Sequence, residues 1–414
     1  SGKFRLTSLE RNWILYDVGN SAFVLMVATL IPIFFNALAA AGGLSSVEYL
    51  AYWGYASSAV TIITAVLSPI LGTVADTKGF KKPIFILCVF VGIVGCCAMG
   101  AVSAWLPFLV IFVIAKVGFS GSLVFYDSML SDVTTPERMD EVSSRGYAWG
   151  YIGSCVPFVV CLGLVLGAGS IGISQMTALN LALLLTAAWW LLTTLPLLKS
   201  YKQLYYVEVE KHAVRQSFAR IGHTLRHLPE DKQVFWFLLA FFCYIDGVYT
   251  IIDMATAYGT ALGLDTTGLL LALLVTQIVA FPSALIFGRL SNKYPSAKLI
   301  PVCIAAYAGI AVFAFFLTRQ WQFWVLAVIV GMFQGGVQAL SRSHFAKIIP
   351  PEKSGEYFGL FDICGKGASF LGTMIVSVGS QLTGSANVGV GSLIVLFIVG
   401  FVLFRVSCRQ GETA

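Results

Sequence analysis

Residues 72–82, GTVADTKGFKK, form a short polar stretch between two long apolar runs, at 50–75 and 83–103. Each run is long enough to cross a hydrocarbon core of about 30 Å as an α-helix, which takes about 20 residues. The stretch therefore predicts a tight loop that joins two antiparallel membrane spans. It recurs at residues 288–298 as GRLSNKYPSAK, with glycine, Asp or Asn, and lysine in register.

A second pair of segments repeats in the same order. FSG at 119–121 followed by PER at 136–138 parallels FQG at 333–335 followed by PEK at 351–353. Equivalent loops in two parts of one chain predict duplicated halves, and internal repeats of this kind are typical of secondary transporters.

The rest of the chain contains further apolar runs of membrane-spanning length. Twelve runs fit, at 13–40, 50–75, 83–103, 105–131, 146–168, 176–198, 233–258, 267–290, 298–317, 321–348, 357–382 and 387–407. With 58% hydrophobic and only 11% charged residues, the chain lacks the polar surface of a soluble protein. The sequence predicts an all-α polytopic membrane protein with 12 transmembrane helices.

Basic residues are distributed asymmetrically around these spans. All but three of the 26 lysines and arginines fall in segments on one side; Arg319 lies on the other side, and Lys116 and Lys366 lie within spans. The positive-inside rule predicts that the basic side is cytoplasmic and carries both termini. We expect a bacterial inner (plasma) membrane protein, whose net charge of +6 reflects contact with anionic lipids rather than nucleic acid.

One long polar stretch divides the spans into six and six. It predicts an N-terminal six-helix bundle at 1–198, a cytoplasmic linker at 199–232 and a C-terminal six-helix bundle at 233–414. Within the linker, regularly spaced apolar residues with interspersed arginines predict a basic amphipathic helix on the inner leaflet. The apolar positions are Val214, Phe218, Ile221 and Leu225, and the arginines are Arg215, Arg220 and Arg226.

The opening stretch matches the pattern G-x-x-x-D-x-x-G-x-[KR]-[KR], which joins helices 2 and 3 in the major facilitator superfamily. Further motifs follow in order: ERNWILYDVGNSAF at 10–23, FYDSMLSD at 125–132, SRGY at 144–147, YIDGV at 244–248, GGVQALSRSHFAK at 335–347, GEYFG at 355–359 and GK at 365–366. Together they resemble the vacuolar amino-acid effluxer (autophagy-related) family and its bacterial relatives. Val18 and Gly19 depart from the Trp-Ala of that family, a difference that bears on substrate selectivity.

The resemblance implies a major facilitator superfamily fold with two pseudo-symmetric halves of six helices. It implies secondary transport by alternating access, a central cavity surrounded by helices 1, 4, 7 and 10, and a monomer. Because yeast vacuolar members of the family move amino acids, the implied cargo is an amino acid or a related zwitterion or cation. Import and export both remain open.

The loop at 72–82 predicts a contact between the halves. Asp76 lies at a helix end, where its carboxylate can accept hydrogen bonds from the N-terminal amides of a helix in the opposite half. Gly72 would let that helix approach closely. We expect this contact, with Lys82, to close the cytoplasmic side, although the loop could also serve only as a topology anchor. The second copy carries Asn292 and Pro295, which predicts a weaker or absent counterpart.

Seven ionisable residues lie inside the predicted spans, where each ionised side chain costs at least about 2.5 to 3.5 kcal/mol. They are Asp17, Lys116, Asp127, Asp246, Asp253, Asp362 and Lys366. Five acids cannot all pair with two lysines. Some carboxyl groups must therefore be protonated, hydrated or bound to a cationic group, as proton coupling or recognition of an ammonium requires.

Candidate substrate contacts lie on the helices that would surround the cavity. Asp246 and Asp253 share one face of helix 7, about 10 Å apart, and Tyr249 lies on the same face. Our hypothesis is that Asp246 titrates during transport and that Lys116 is its partner or binds a substrate carboxylate. The predicted substrate-binding residues are Tyr16, Asp17, Asn20, Lys116, Asp246, Tyr249, Asp253, Gln334 and Gln338, and proton coupling is assigned to Asp17, Asp246 and Asp253.

A second set of polar residues is assigned to gating: Asp76, Lys82, Asp127, Asp362 and Lys366. Asp127 lies shallow enough in its span to meet basic residues at the cytoplasmic end. Asp362 and Lys366 are four residues apart and could instead simply neutralise each other along helix 11. For Asp17 a structural bond between the halves is the alternative to contact with substrate or protons.

Other classes of protein find little support in the sequence. The enzyme motifs H-E-x-x-H, G-x-S-x-G and C-x-x-C do not occur, so we expect no enzymatic activity and no cofactor. His223 and His227 are four apart but lack a third ligand, and no metal site is predicted. The expected partners are a small-molecule substrate, protons and membrane lipids. A flippase or exporter of a lipid or cell-wall precursor remains the alternative, because the same fold can open sideways to lipid.

Overall fold

The computed structural model describes residues 3–208, 211–261 and 263–413, and these residues are mainly helical. The helices are α1 (Ser8–Ala28), α2 (Leu30–Ala41), α3 (Ser46–Ala75), α4 (Lys81–Ala101), α5 (Trp105–Ser128), α6 (Leu130–Val133), α7 (Met139–Leu166), α8 (Gln175–Ser200), α9 (Ala213–His227), α10 (Lys232–Ala261), α11 (Thr266–Leu290), α12 (Ser296–Phe315), α13 (Gln320–Ile348), α14 (Ser354–Thr383), α15 (Ala386–Gly391) and α16 (Ile394–Glu412).

Within the described residues, 12 helical segments are long and apolar enough to cross a membrane. Ten of them are single helices, α3 to α5, α7, α8 and α10 to α14. The other two each combine a pair of helices, α1 with α2 and α15 with α16. The predicted all-α fold with 12 spans is confirmed.

The first span differs from the single run predicted at 13–40. It begins at Ser8, because Thr7 and Glu10 form a capping box in which each side chain accepts the backbone N–H of the other. It breaks at Thr29, whose hydroxyl donates to the carbonyl of Leu25 at 2.6 Å. Hydropathy alone does not locate such a break, because apolar residues flank Thr29 on both sides.

Helices within each half approach closely at glycines. A Cβ atom on Gly118 of α5 would lie 2.8 Å from the carbonyl oxygen of Cys88 in α4. In the other half, a Cβ on Gly400 of α16 would lie 3.0 Å from the backbone nitrogen of Tyr244 in α10. In a membrane the hydrophobic effect does not drive helices together, because lipid tails are as apolar as the side chains. Close packing of the backbones at small residues holds such helices together instead.

The first six spans meet the last six along α3 with α14, and along α7 with α11 and α13. The closest approach is between Gly72 of α3 and Gly355 of α14. A Cβ atom on either glycine would collide with the backbone carbonyl of the other. This backbone contact fixes the two halves against each other at one end of the molecule.

The amphipathic helix predicted in the polar stretch is present as α9. It packs across the end of α3, where Ser217 and Thr224 are buried and Arg220 donates to the carbonyl of Thr73 at 3.0 Å. Apolar residues of the same helix, among them Phe218, remain exposed. The face of the molecule that carries α9 is called the α9 side below, and its assignment to the cytoplasm remains a prediction.

Candidate functional site

The contact predicted for the first loop is present. The two carboxylate oxygens of Asp76 accept hydrogen bonds from the backbone amides of Gly355, at 2.8 Å, and Glu356, at 2.9 Å, at the start of α14. Burial raises the pKa of Asp76 to about 7, against the opposing effects of Lys81 and the two amides. This contact, the latch below, joins the two halves on the α9 side.

The lysine at the latch is not the predicted one. Lys81 is fully buried, with its ammonium 3.7 Å from Asp76 and 2.8 Å from the hydroxyl of Ser354. Lys82 lines a surface cavity instead. Adjacent residues of a helix point about 100° apart, so only one of two consecutive lysines can face the opposite half.

The second loop also reaches across the halves, although a weaker or absent counterpart was predicted. The side-chain amide of Asn292 donates to Glu141 of α7 at 2.8 Å, and Glu141 pairs with Arg145 at 3.0 Å. An amide can donate to a carboxylate where an aspartate could not. The second copy therefore uses a side-chain contact in place of the helix-terminus contact.

Arg342 of α13 is the central cation of the interface between the halves, and the sequence reasoning missed it. Its guanidinium lies 3.1 Å from Asp127 and 3.4 Å from Asp17, and it also donates to the hydroxyl of Ser143 at 2.9 Å. The side chain is only 2% exposed. Counting Arg342 among the basic residues of the cytoplasmic side was wrong, and its position six residues inside the end of an apolar run was the available signal.

Aromatic rings enclose this arginine. The guanidinium carbon lies 4.4 Å from the ring centre of Tyr147 and 4.7 Å from that of Trp13, both within cation–π range. With three bases rather than two inside the spans, Asp17 and Asp127 both have a cationic partner. The count of five acids against two bases therefore omitted one base, and Asp17 and Asp127 are not among the acids left without a cation.

Further bonds complete the closure around Arg342. Ser143 donates to the carbonyl of Ala339 at 2.7 Å, and Asp140 accepts from Ser343 at 2.5 Å and from Lys347 at 2.8 Å. In the part of the chain that the structure describes, the hydrogen bonds between the halves lie between the membrane middle and the α9 side. The molecule is closed on the α9 side.

The two predicted glutamines lie in the middle part of α13. Gln338 donates to the hydroxyl of Tyr151 at 3.1 Å, which links α13 to α7 across the halves. Gln334 is buried, and its side-chain nitrogen has no hydrogen-bond partner among the described residues. Trp149 is 44% exposed and packs edge to face against Phe281.

Asp362 and Lys366 form an ion pair at 2.8 Å along α14. Asp362 also accepts from the hydroxyl of Ser68 in α3 at 2.9 Å, so the pair is tied to the opposite half. This arrangement accommodates both interpretations, neutralisation within one helix and a contact that forms between the halves.

Lys116 lies near the middle of α5, with its ammonium 4.5 Å from the ring centre of Phe119. Its electrostatic neighbours are Lys366 and Asp253 of the opposite half, and it forms no ion pair with Asp246 in this structure. Its alternative role, binding a substrate carboxylate, stays a prediction. Among the described residues, neither Lys116 nor Asp253 forms an ion pair within 4.0 Å. Asp253 is exposed near the end of α10 that lies away from the α9 side, and Tyr249 interacts electrostatically with it.

Asp246 lies within the second half rather than between the halves. One carboxylate oxygen accepts from the backbone amide of Gly372 in α14 at 2.8 Å and from the hydroxyl of Thr250 at 3.3 Å. The other oxygen is buried and has no hydrogen-bond partner among the described residues. No described cation pairs with Asp246, which sets it apart from Asp17, Asp127 and Asp362.

Tyr16 and Asn20 belong to the packing of the first half. The hydroxyl of Tyr16 shares a 2.5 Å hydrogen bond with Ser122, and its ring packs against Phe85. The amide of Asn20 donates to the carbonyl of Tyr16 at 2.8 Å. Both side chains are buried within the bundle, so the prediction that they contact substrate does not agree with this structure. The spacing of polar residues along a helix does not show whether they pack inside their own bundle or line the cavity between the halves.

A groove of about 250 Å³ between α3, α4 and α5 lies apart from these charged residues and has an apolar lining that includes Leu87 and Val91. In the described part of the chain, no group of three or more His, Cys, Asp or Glu could hold a metal ion. His223 and His227 stack with their ring centres 4.1 Å apart. The polar chemistry is therefore concentrated between the halves and within the second half.

Similar proteins agree with this architecture. A family model described as "Vacuole effluxer Atg22 like" matches residues 8–413. An uncharacterized MFS-type transporter, YxiO, of Bacillus subtilis (strain 168) is 42% identical over 414 residues, which cover 99% of this chain and 97% of that protein. Autophagy-related protein 22 of Coccidioides immitis (strain RS) is 25% identical over 315 residues, or 65% of this chain and 51% of that protein.

The fold is similar to that of the human organic anion transporter MFSD10 (TETRAN), with a TM-score of 0.74 and 14% sequence identity. The match covers 95% of this chain and 99% of that chain, and at this identity it establishes the fold alone. The family and the fold together indicate a secondary transporter rather than an enzyme, embedded in a membrane. By the full-length match of the family model, the chain belongs to the Atg22-like vacuole effluxer family of the major facilitator superfamily.

Proposed function

We propose that the protein is a proton-coupled secondary transporter of a small zwitterionic or cationic metabolite, such as an amino acid. It acts as a monomer by alternating access, in a bacterial inner membrane with the α9 side in the cytoplasm. The basic loops of that side and the bacterial relative support this placement. The two functional halves are 1–198 and 233–414, joined by 199–232.

The observation that carries the proposal is the relationship between Lys116 and Asp253. The two side chains stand on opposite halves, interact electrostatically and form no ion pair with each other or with another described residue. A zwitterion carries a carboxylate and an ammonium group that complement this lysine and this aspartate. Its binding would satisfy both charges and draw the halves together on the side away from α9.

Asp246 supports proton coupling. It is buried without a described cation partner, and an ionised carboxylate in such surroundings is costly. Proton uptake removes that cost, so the carboxyl group can carry a proton through the cycle. Its bond to Gly372 ties its state to the position of α14, which also carries the latch residues Gly355 and Glu356.

The closure on the α9 side supports alternating access. The latch and the bonds of Arg342 all join one half to the other, so a rocking motion of the halves would break them together. Contacts of this kind favour one state without preventing the other, because each is a hydrogen bond or ion pair that water can replace.

Uptake into liposomes tests the proposal. The purified chain would be reconstituted and supplied with labelled amino acids and amines, with and without an imposed pH gradient. We expect at least one zwitterion or amine to accumulate only with the gradient, and Lys116→Gln and Asp253→Asn each to abolish that accumulation. Lys298→Gln, an exposed residue of the α9 side, is the matched control.

Two results would contradict the proposal. One is gradient-dependent uptake that survives both substitutions. The other is an absence of solute uptake combined with movement of labelled lipid between leaflets, which would identify a lipid flippase instead.

A further inference from the structure

A cavity of about 640 Å³ lies on the α9 side of the first half, away from the interface between the halves. Residues at the start of α4 form one wall, and the segment that follows α8, from Tyr201 to Tyr206, forms the other. Neither the transport site nor the latch includes this cavity. It is therefore a separate feature of the molecule.

The charge of the cavity is strongly positive. Lys78, Lys82 and Lys202 line it, and its lining residues include no aspartate or glutamate. Among the described residues none of these three lysines forms an ion pair, and the ammonium of Lys78 lies 5.2 Å from the ring centre of Tyr206. Three unneutralised ammonium groups around one cavity favour a ligand that carries a phosphate or another compact anion.

The walls of the cavity are fixed by hydrogen bonds. Gln203 accepts from the backbone amide of Gly79 and donates to the carbonyl of Ala75, both at 3.1 Å. The backbone amide of Lys78 donates to the carbonyl of Val207 at 2.9 Å, and the backbone amide of Val207 donates to the main-chain carbonyl of Asp76 at 2.8 Å. The lysines thus stand on a preorganised frame, which lowers the entropic cost of binding.

Asp132 supports the wall that is formed by residues 201–206. Its carboxylate accepts from the hydroxyl of Tyr201 at 2.6 Å and from the backbone amides of Leu204 and Tyr205 at 3.1 and 3.2 Å. The side chain is only 3% exposed, so it supports the wall without lining the cavity. The frame is therefore built to present the lysines rather than to neutralise them.

One side of the cavity continues onto the lipid-facing surface of α4. Pro83 and Ile86 complete the lining, and Phe90, about one helical turn beyond Ile86, continues the exposed apolar surface of the helix. A soluble anion would use only the basic end of this arrangement. A phospholipid would use both, with its phosphate among the lysines and an acyl chain along α4.

We infer that this cavity binds the headgroup of an anionic phospholipid. Phosphate oxygens would accept from the three ammonium groups, and the polar end of the glycerol headgroup would reach Gln203 and Tyr206. Because Gly79 and Lys78 belong to the loop that carries Asp76, a bound lipid would also brace the loop in the position that the latch requires.

Lipid titration of the detergent-purified chain tests this inference. Dioleoyl-phosphatidylglycerol and dioleoyl-phosphatidylcholine would be added in turn, with bound lipid counted by native mass spectrometry and stability followed by thermal unfolding. We expect the anionic lipid to bind about tenfold or more tightly than the zwitterionic one, because juxtamembrane lysines each strengthen attraction to anionic lipid. The variant Lys78→Gln, Lys82→Gln, Lys202→Gln would lose that preference.

A matched control removes the same number of charges elsewhere on the α9 side. The variant Arg289→Gln, Lys293→Gln, Lys298→Gln alters three exposed basic residues around the loop of the second half and would keep the preference. Equal loss in both variants would overturn the inference, since general surface charge would then explain the binding. Retention of the preference in the first variant would overturn it as well.

Two further arms separate a lipid from a free anion. Inorganic phosphate and glycerophosphoglycerol, which lack acyl chains, are expected to leave bound phosphatidylglycerol in place. Displacement by either would assign the cavity to a soluble phosphate compound and overturn the lipid inference. Replacement of all three lysines by arginine is expected to keep the preference, which shows that charge rather than damage to the fold causes the loss.

Discussion

The guanidinium of Arg342 lies 3.1 Å from the carboxylate of Asp127, and the two side chains belong to opposite halves of the molecule. Asp17 approaches the same guanidinium at 3.4 Å, so one cation serves two acids. Rings of Tyr147 and Trp13 pack against the guanidinium. The acids predicted in spans 1 and 4 therefore form one cluster with an arginine of span 10.

Arg342→Gln is expected to open the α9 side. Removing one partner of a buried ion pair typically costs about 3 to 5 kcal/mol, because the remaining charge is left uncompensated. Such an energy is enough to move most of a two-state population. Nitroxide labels on Glu137→Cys and Glu352→Cys, after replacement of the native cysteines, would report a longer distance between the halves in the variant. An unchanged distance would rule out a closing role, and Arg289→Gln is the exposed control.

The latch is expected to respond to pH through Asp76. Burial raises its pKa to about 7 in the closed state, whereas in an open, hydrated state it would titrate near its ordinary value of about 4. The closed state then binds the proton more tightly. Its extra stability is fully present below about pH 4 and is lost as the pH rises through about 7.

The same label pair measures this effect. Raising the pH from about 5 to about 8 is expected to increase the open population of the native chain, and Asp76→Asn to remove this part of the dependence. An identical pH dependence in the variant would assign the effect to other groups.

Substitutions of the neighbouring residues Lys81 and Lys82 are expected to differ in their effect on opening of the α9 side. Lys81→Gln leaves Asp76 buried without its lysine and removes the bond to Ser354, so the open population should rise. Lys82→Gln alters only the wall of the surface cavity and should change the distance between the labels less. Equal effects on the label distance would show that Lys81 has no special part in the latch.

Asp246→Asn is expected to abolish proton-coupled accumulation of substrate but not exchange of substrate across the membrane. An amide keeps the size of the side chain and can still accept from Gly372, so the fold should persist. It cannot release a proton. Gradient-driven accumulation should therefore be lost while exchange of labelled for unlabelled substrate continues. Accumulation at the native level in a well-expressed variant would exclude Asp246 as the coupling group.

The 12 spans could be predicted from the sequence because each is a long apolar run bounded by polar residues. The contact of Asp76 with the start of a helix in the opposite half could be predicted too, since the N-terminal amides of a helix are favourable partners of a carboxylate. The role of Arg342 could not. An arginine near the end of a span is equally consistent with a side chain that reaches the aqueous surface, and only the packing of α13 against α7 decides between the two.

The placement of Asp246 within one half rather than between the halves was similarly hidden. Spacing shows that Asp246 and Asp253 share a helix face, but it does not show how far the neighbouring helix covers that face. In the structure α14 covers the first residue and leaves the second exposed. Which polar residues line a cavity is a property of neighbouring helices, and a single sequence does not specify them.

The bare backbones of Gly72 and Gly355 touch where the halves close, with no room for a single methyl group. The methyl group of an alanine at either position would collide with the opposite backbone and prevent the two halves from closing there. Such a variant would favour the conformation that is open on the α9 side without a ligand or an antibody. It would therefore allow that conformation to be crystallised with a change of one methyl group.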